Sequence, residues 1–146
     1  MRSRSSGFTL IELLVVVAVL GIIASIGIAS YSGYVSSTKM KSTENVMRQI
    51  ALGQTEYYSQ HGVYFTNGNS CSPDIKSSEE IETKVLGGSK SIVDKNKTPA
   101  EAISGYWICV QNHSSNYEIV ARDADDPKGC EVKLTANNEI KRSSKC

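Results

Sequence analysis

The chain has 146 residues, is 40% hydrophobic and 21% charged, and carries a formal net charge of +1. That balance gives no global attraction for nucleic acid, and only about 100 residues lie beyond the first apolar run, enough for one modest core. Catalysis finds no support: His61 and His113 each stand in a turn or helix-end context without a nearby nucleophile or metal-ligand spacing.

The first six residues are short, polar and basic, with Arg2, Arg4 and three serines. An apolar run follows without a break, and from Phe8 to Val35 its only charged side chain is Glu12. A charge at the bilayer centre costs roughly 2.5–3.5 kcal/mol on insertion scales, so such a residue usually has a partner and a function. The run approaches the roughly 17–25 residues that span a bilayer. A signal peptide would have a shorter core and a small-residue cleavage site; Ala24-Ser25 and Ala29-Ser30 offer that alternative. Arg2 and Arg4 place the N-terminus in the cytoplasm by the positive-inside bias, with the rest of the chain outside the inner membrane.

Gly7-Phe8-Thr9-Leu10-Ile11-Glu12-Leu13-Leu14, followed by Val-Val-Val-Ala-Val-Leu-Gly, resembles the N-terminus of a class A type IV prepilin. The motif covers about thirty residues and is specific; the remainder matches the family only in layout. The resemblance implies a leader over residues 1–7, cut between Gly7 and Phe8 by a membrane peptidase that methylates the new Phe8 amine. It also implies that Glu12 neutralises the Phe8 amine of a neighbouring subunit during assembly. Electrostatics agrees, because a cationic amine in reach offsets the cost of burying a carboxylate. Glu12 is one helical turn from Phe8, so its own amine is a second candidate. The alternative places Glu12 at the cytoplasmic headgroup level, without need of a partner. One departure stands out: many such pilins carry a helix proline near the position of Ala29, and this chain has none before Pro73. Gly21, Gly27 and Gly33 could weaken the helix there; alternatively the small residues Gly21, Ala24, Ser25, Gly27 and Ala29 permit close helix packing.

Residues 8–35 are thus read as a transmembrane and filament-core helix, and residues 36–62 as its amphipathic continuation. Thr43, Val46, Met47, Ile50, Gln54 and Tyr57 recur at three- and four-residue spacing, while Lys39, Lys41, Glu44 and Arg48 fall mostly off that stripe. Gly62 is placed to end the helix. From Phe8 to His61 the element would be on the order of 80 Å long.

Residues 63–105 show little periodicity and many turn formers, as in the variable connection of pilin-like proteins, and suit surface display. A short helix is predicted over Ser78–Leu86, capped by Ser78 with Glu79 and Glu80 near its positive end. Residues 106–146 alternate: Tyr106/Ile108/Val110, Tyr117/Ile119/Ala121 and Val132/Leu134 predict three antiparallel strands, with a fourth around Glu139–Lys141. The fold class is α+β, with the long helix covering a small antiparallel sheet and a disulfide-tied C-terminal loop.

Four cysteines, Cys71, Cys109, Cys130 and Cys146, follow the apolar run and argue for two disulfides with three pairings open. Cys109 alternates with inward Ile108 and Val110, whereas Cys130 shares parity with inward Val132 and Leu134. Opposite faces disfavour Cys109–Cys130, although a bulge would undo the argument. The reading adopted is Cys71–Cys109 with Cys130–Cys146. The second loop, of about 17 residues and worth roughly 3 kcal/mol in the chain-entropy model, resembles the C-terminal disulfide loop of many pilins. No C-x-x-C spacing suggests metal binding.

Asp123, Asp125 and Asp126 are a weak calcium candidate without EF-hand spacing. Asn96-Lys97-Thr98 and Asn112-His113-Ser114 match the glycosylation acceptor pattern, which arises often by chance. Loss of Arg2 and Arg4 with the leader would leave 14 basic against 15 acidic side chains, a charge of −1. A basic scatter at Lys133, Lys141, Arg142 and Lys145 could contact phosphates, but a solvated sheet face is the favoured reading. The expectation is a structural pilus subunit, not an enzyme and without a cofactor. It would polymerise with itself and other pilins into a surface filament for adhesion, motility or DNA uptake. The resemblance implies a prepilin peptidase, an inner-membrane assembly platform and a cytoplasmic ATPase as partners. It also implies a single-pass inner-membrane precursor that becomes an extracellular filament. Alternatives are a type II secretion pseudopilin, or a minor pilin acting as a DNA-binding or adhesive tip module.

Overall fold

The computed structural model describes residues 7–146, apart from the side chains of Ile28, Ala29, Ser30 and Ser32. The expected leader residues before Gly7, with Arg2 and Arg4, lie outside the described residues, as does the Ala29 side chain. Helix α1 spans Leu10–His61 and ends at Gly62, whose φ of +73° is the left-handed conformation that glycine adopts without a Cβ penalty. The chain divides into two compact units, one ending at Ser37 and the other running Thr38–Cys146. In the first, the window Leu10–Gly27 is apolar and long enough to cross a membrane, and none of it is buried.

In the second unit α1 presents the expected stripe. Thr43, Val46, Met47, Ile50 and Gln54 are buried, and Tyr57 is partly so. Gln54 is polar in an apolar core because its amide completes a backbone ladder. Its Nε2 donates to the Phe65 carbonyl at 2.8 Å and its Oε1 accepts the Phe65 N–H at 2.9 Å. Glu44 departs from expectation: it is buried, paired with Arg142 from the far end of the chain.

Helix α2 spans Ile75–Lys84 and starts three residues earlier than the sequence suggested. Its cap is Asp74, not Ser78: the Asp74 carboxylate accepts the Ser77 N–H at 2.7 Å and Ser77 Oγ accepts the Asp74 N–H at 3.0 Å. Ser78 is instead a buried helical residue whose hydroxyl accepts the Ile108 N–H at 3.0 Å. Two short strands, β1 (Val93–Asp94) and β2 (Glu101–Ala102), pair antiparallel inside the stretch read as irregular. That stretch is more than display surface, because Phe65, Ile81, Val85, Ile92 and Val93 belong to the core.

The main sheet has order β3-β4-β5-β6, with β3 Tyr106–His113, β4 Asn116–Asp123, β5 Glu131–Thr135 and β6 Ile140–Arg142, all neighbours antiparallel. Ile108, Val110, Ile119, Ala121, Val132 and Leu134 cluster with Val46, Met47 and Ile50, burying one sheet face and the helix stripe together. The outer edge of β3 is closed by side chains and a loop. Asn67 exchanges two bonds with Val110 at 2.7 and 2.8 Å, and Ser77 and Ser78 donate to the Ile108 carbonyl. Such covering removes an edge that would otherwise pair with another chain.

Candidate functional site

The N-terminal segment carries the chemistry singled out in the sequence. Phe8 and the apolar side chains from Leu10 to Ile26 are exposed, so none of the described residues buries this part of α1. Among the described residues Glu12 is the sole charged group before Lys39. Thr9 precedes the helix and shares a reciprocal cap with Glu12. The carboxylate accepts the Thr9 N–H at 2.9 Å and the Thr9 hydroxyl at 2.7 Å, while Thr9 Oγ1 accepts the Glu12 N–H at 3.3 Å. One oxygen, Oε2, takes both bonds from Thr9. The Thr-x-x-Glu spacing is a sequence signature for this cap, and Thr9 is the capping residue that sequence reasoning passed over.

The candidate phosphate-binding cations are not gathered into a free patch. Arg142 donates through Nε to Glu44 at 2.9 Å, Lys141 lies 3.7 Å from Glu139, and Lys145 Nζ donates to the Lys128 carbonyl. Lys133 faces Glu131 at 3.6 Å and Glu118 at 3.8 Å. Acidic neighbours thus balance most of the basic scatter, which weakens the DNA-contact reading.

The aspartates likewise serve the fold. Asp123 accepts the Asp125 N–H at 2.9 Å, Asp126 accepts the Lys128 N–H at 3.0 Å, and Asp125 pairs with Lys39 at 3.7 Å. Among the described residues no three His, Cys, Asp or Glu side chains are grouped so as to hold a metal ion. His61 stacks on Tyr57 with ring centroids 4.1 Å apart, and His113 ends β3.

Both disulfides are formed, Cys71–Cys109 and Cys130–Cys146. Cys109 and its cross-strand partner Val120 lie outside the main apolar cluster, as alternation requires, yet both are buried. Cys71, held by its N–H to Gln111 Oε1 at 3.3 Å, brings a loop over that second face. The other bridge ties the C-terminal residue to the start of the β5 segment.

Residues 2–28 match the prokaryotic N-terminal methylation motif. The chain is 32% identical to the type IV major pilin protein PilE of Neisseria gonorrhoeae, over 86% of this chain and 82% of that protein. It is 30% identical to a fimbrial protein of Dichelobacter nodosus, over 92% and 69%. A fimbrial protein of Neisseria meningitidis serogroup B is 33% identical over 66% of this chain, which spans about half, 54%, of that relative's length. No solved structure matches the chain. A long exposed apolar helix, a capped N-terminal glutamate and a small disulfide-tied sheet define a filament-type subunit. The chain belongs to the type IV pilin family and is a structural pilus subunit.

Proposed function

We propose that the chain is a membrane-stored precursor that polymerises through its N-terminal helix into a pilus filament, after cleavage between Gly7 and Phe8 and methylation of the Phe8 amine. The observation that carries this reading is the pairing of an unburied apolar helix with one internal carboxylate. Apolar surface of that extent is stable only in a lipid bilayer or against other apolar helices. Inside a bundle of copies, Glu12 would lie in a low dielectric, where an opposite charge is needed. The Phe8 amine of a neighbouring copy supplies that charge only after the leader is removed, so processing and assembly are chemically coupled. Prepilin peptidase, an inner-membrane platform and a cytoplasmic ATPase are the partners this cycle needs.

Mass spectrometry of the protein from its native membrane and from sheared surface material tests the reading. A chain beginning at N-methylated Phe8 in the sheared fraction is expected. An intact Met1 leader in assembled material would overturn it. Processed chain confined to the membrane would shift the reading to a periplasmic pseudopilin.

A further inference from the structure

Two aromatic side chains stand where the apolar helix gives way to polar sequence. Tyr31 and Tyr34 are each 70% exposed, on the helical turn beyond the apolar window. The first cations after Glu12, Lys39 and Lys41, follow one to two turns later. Tyrosine is enriched at membrane–water interfaces because its ring is apolar and its hydroxyl seeks water or headgroups.

Distances along the helix give these positions a meaning. Nineteen positions separate Glu12 from Tyr31 and twenty-two separate it from Tyr34, about 28 and 33 Å at 1.5 Å per residue. The hydrocarbon core of a bilayer is about 30 Å thick. A helix with its tyrosines at the outer interface therefore has Glu12 at the inner one. Phe8 lies about 6 Å further toward the cytoplasm.

We infer that Tyr31 and Tyr34 bind the outer lipid headgroup layer and fix the depth of the stored precursor, holding Glu12 at the inner headgroup boundary. The inference rests on the reading that the uncut chain is stored in a bilayer. It adds the lipid-contacting residues and the register of the helix. At that depth the Glu12 carboxylate stays hydrated, with Thr9 as its protein partner, and Gly7-Phe8 is presented at the cytoplasmic surface. The demand for a cationic partner then arises only when the helix leaves the bilayer and Glu12 enters a dry bundle. Storage and assembly thereby place the same carboxylate in two different dielectrics.

The test uses the full-length uncut chain in phosphatidylethanolamine/phosphatidylglycerol vesicles whose lipids are brominated either near the glycerol or near the acyl terminus. Tyr31→Trp, Tyr34→Trp and Val19→Trp are compared with the unsubstituted chain, whose Trp107 lies in the other unit and sets the baseline. Shallow bromines should quench the probes at positions 31 and 34 at least about twofold more than deep ones, and the order should reverse for the Val19→Trp probe. Quenching of the 31 and 34 probes mainly by deep bromines, or by neither, would overturn the inference. A second chain adds Tyr31→Ala and Tyr34→Ala to Val19→Trp. Its depth preference should fall by about half or more as the helix loses its anchor; an unchanged preference would show that the tyrosines do not set depth. Neither measurement needs processing or filaments, so a failure here is distinct from failure of the pilin reading.

Discussion

Glu12 and Thr9 satisfy each other across the first helical turn, the carboxylate accepting from both the N–H and the hydroxyl of Thr9. The residue proposed to need an external cation in assembly thus has an internal partner available beforehand. The two engagements are compatible because both Thr9 bonds use Oε2, and a carboxylate has about four lone-pair sites.

Thr9→Val removes the hydroxyl but keeps the backbone donor, so it tests the cap without deleting the charge. The start of the helix should lose about 1 kcal/mol. Hydrogen exchange of the first-turn amides in bicelles should quicken by about fivefold. Filament yield should fall less than for Glu12→Gln, which removes the charge. Equal loss in both variants would assign the assembly role to the cap and not to the charge.

Arg142 and Glu44 give a sharp contrast with Lys141 and Glu139. The Glu44 side chain is 8% exposed and that of Arg142 41%, whereas Lys141 and Glu139 are both more than half exposed. Arg142→Ala leaves a buried carboxylate with Lys41, 3.5 Å away, as its remaining charge partner. It should destabilise the protein by about 2 kcal/mol, the range for hydrogen bonds to charged groups. Lys141→Ala should fall within about 0.5 kcal/mol of the parent. Urea unfolding of the detergent-solubilised protein followed by Trp107 fluorescence measures both, and equal effects would refute the distinction.

Gly53 faces the end of α2 so closely that a Cβ would lie 2.6 Å from the Val85 carbonyl oxygen and 2.8 Å from its Cγ1. Alanine would favour the helix by about 1 kcal/mol, but the obstruction includes backbone and overpacking costs typically 1–3 kcal/mol. Gly53→Ala should therefore lower the thermal midpoint by several degrees, about 5 °C for a net loss near 1 kcal/mol. A raised midpoint would show that α2 shifts freely.

Acid should weaken the sheet through Glu131. Partial burial raises its pKa, but the Arg122 hydrogen bonds and the charges of Lys133 and Arg122 outweigh that, leaving it below the ordinary 4.5. A depressed folded pKa contributes stability that is present above the unfolded value, and is lost as pH falls through the folded one. The stability gap between the parent and Glu131→Gln should thus be full at pH 7 and shrink below about pH 4.5. A gap independent of pH would mean that the Arg122 contact contributes no net ionic stabilisation.

Local patterns made the long helix, its buried stripe and all four main strands legible, the fourth one residue later than expected. Val46, Met47 and Ile50 repeat at helical spacing, and Ile119/Ala121 and Val132/Leu134 alternate, because one side of each element meets the core. Glu44 was misplaced because its burial depends on Arg142, 98 residues away. Strands β1 and β2 are two residues each, too short for any period. The Asp74 cap was readable from the Pro73-Asp74-x-x-Ser77 run, but the acidic pair after Ser78 suggested a later start. Cys109 obeyed alternation yet was buried, since a loop anchored by Cys71 covers the second face.

The sequence by itself determined the N-terminal motif, the length of the apolar run and the main helix and strands, because these depend on residues within a few turns of one another. Tertiary structure alone decided which charges are free. Lys133, Arg142 and Lys145 read as part of a basic scatter until folding brought Glu118, Glu44 and the Lys128 carbonyl beside them. The aspartates of the β4–β5 turn were likewise committed to backbone N–H groups and to Lys39. Charge pairing acts through space and is screened beyond about 10 Å at ordinary ionic strength, so pairs far apart in sequence appear only once the chain has folded.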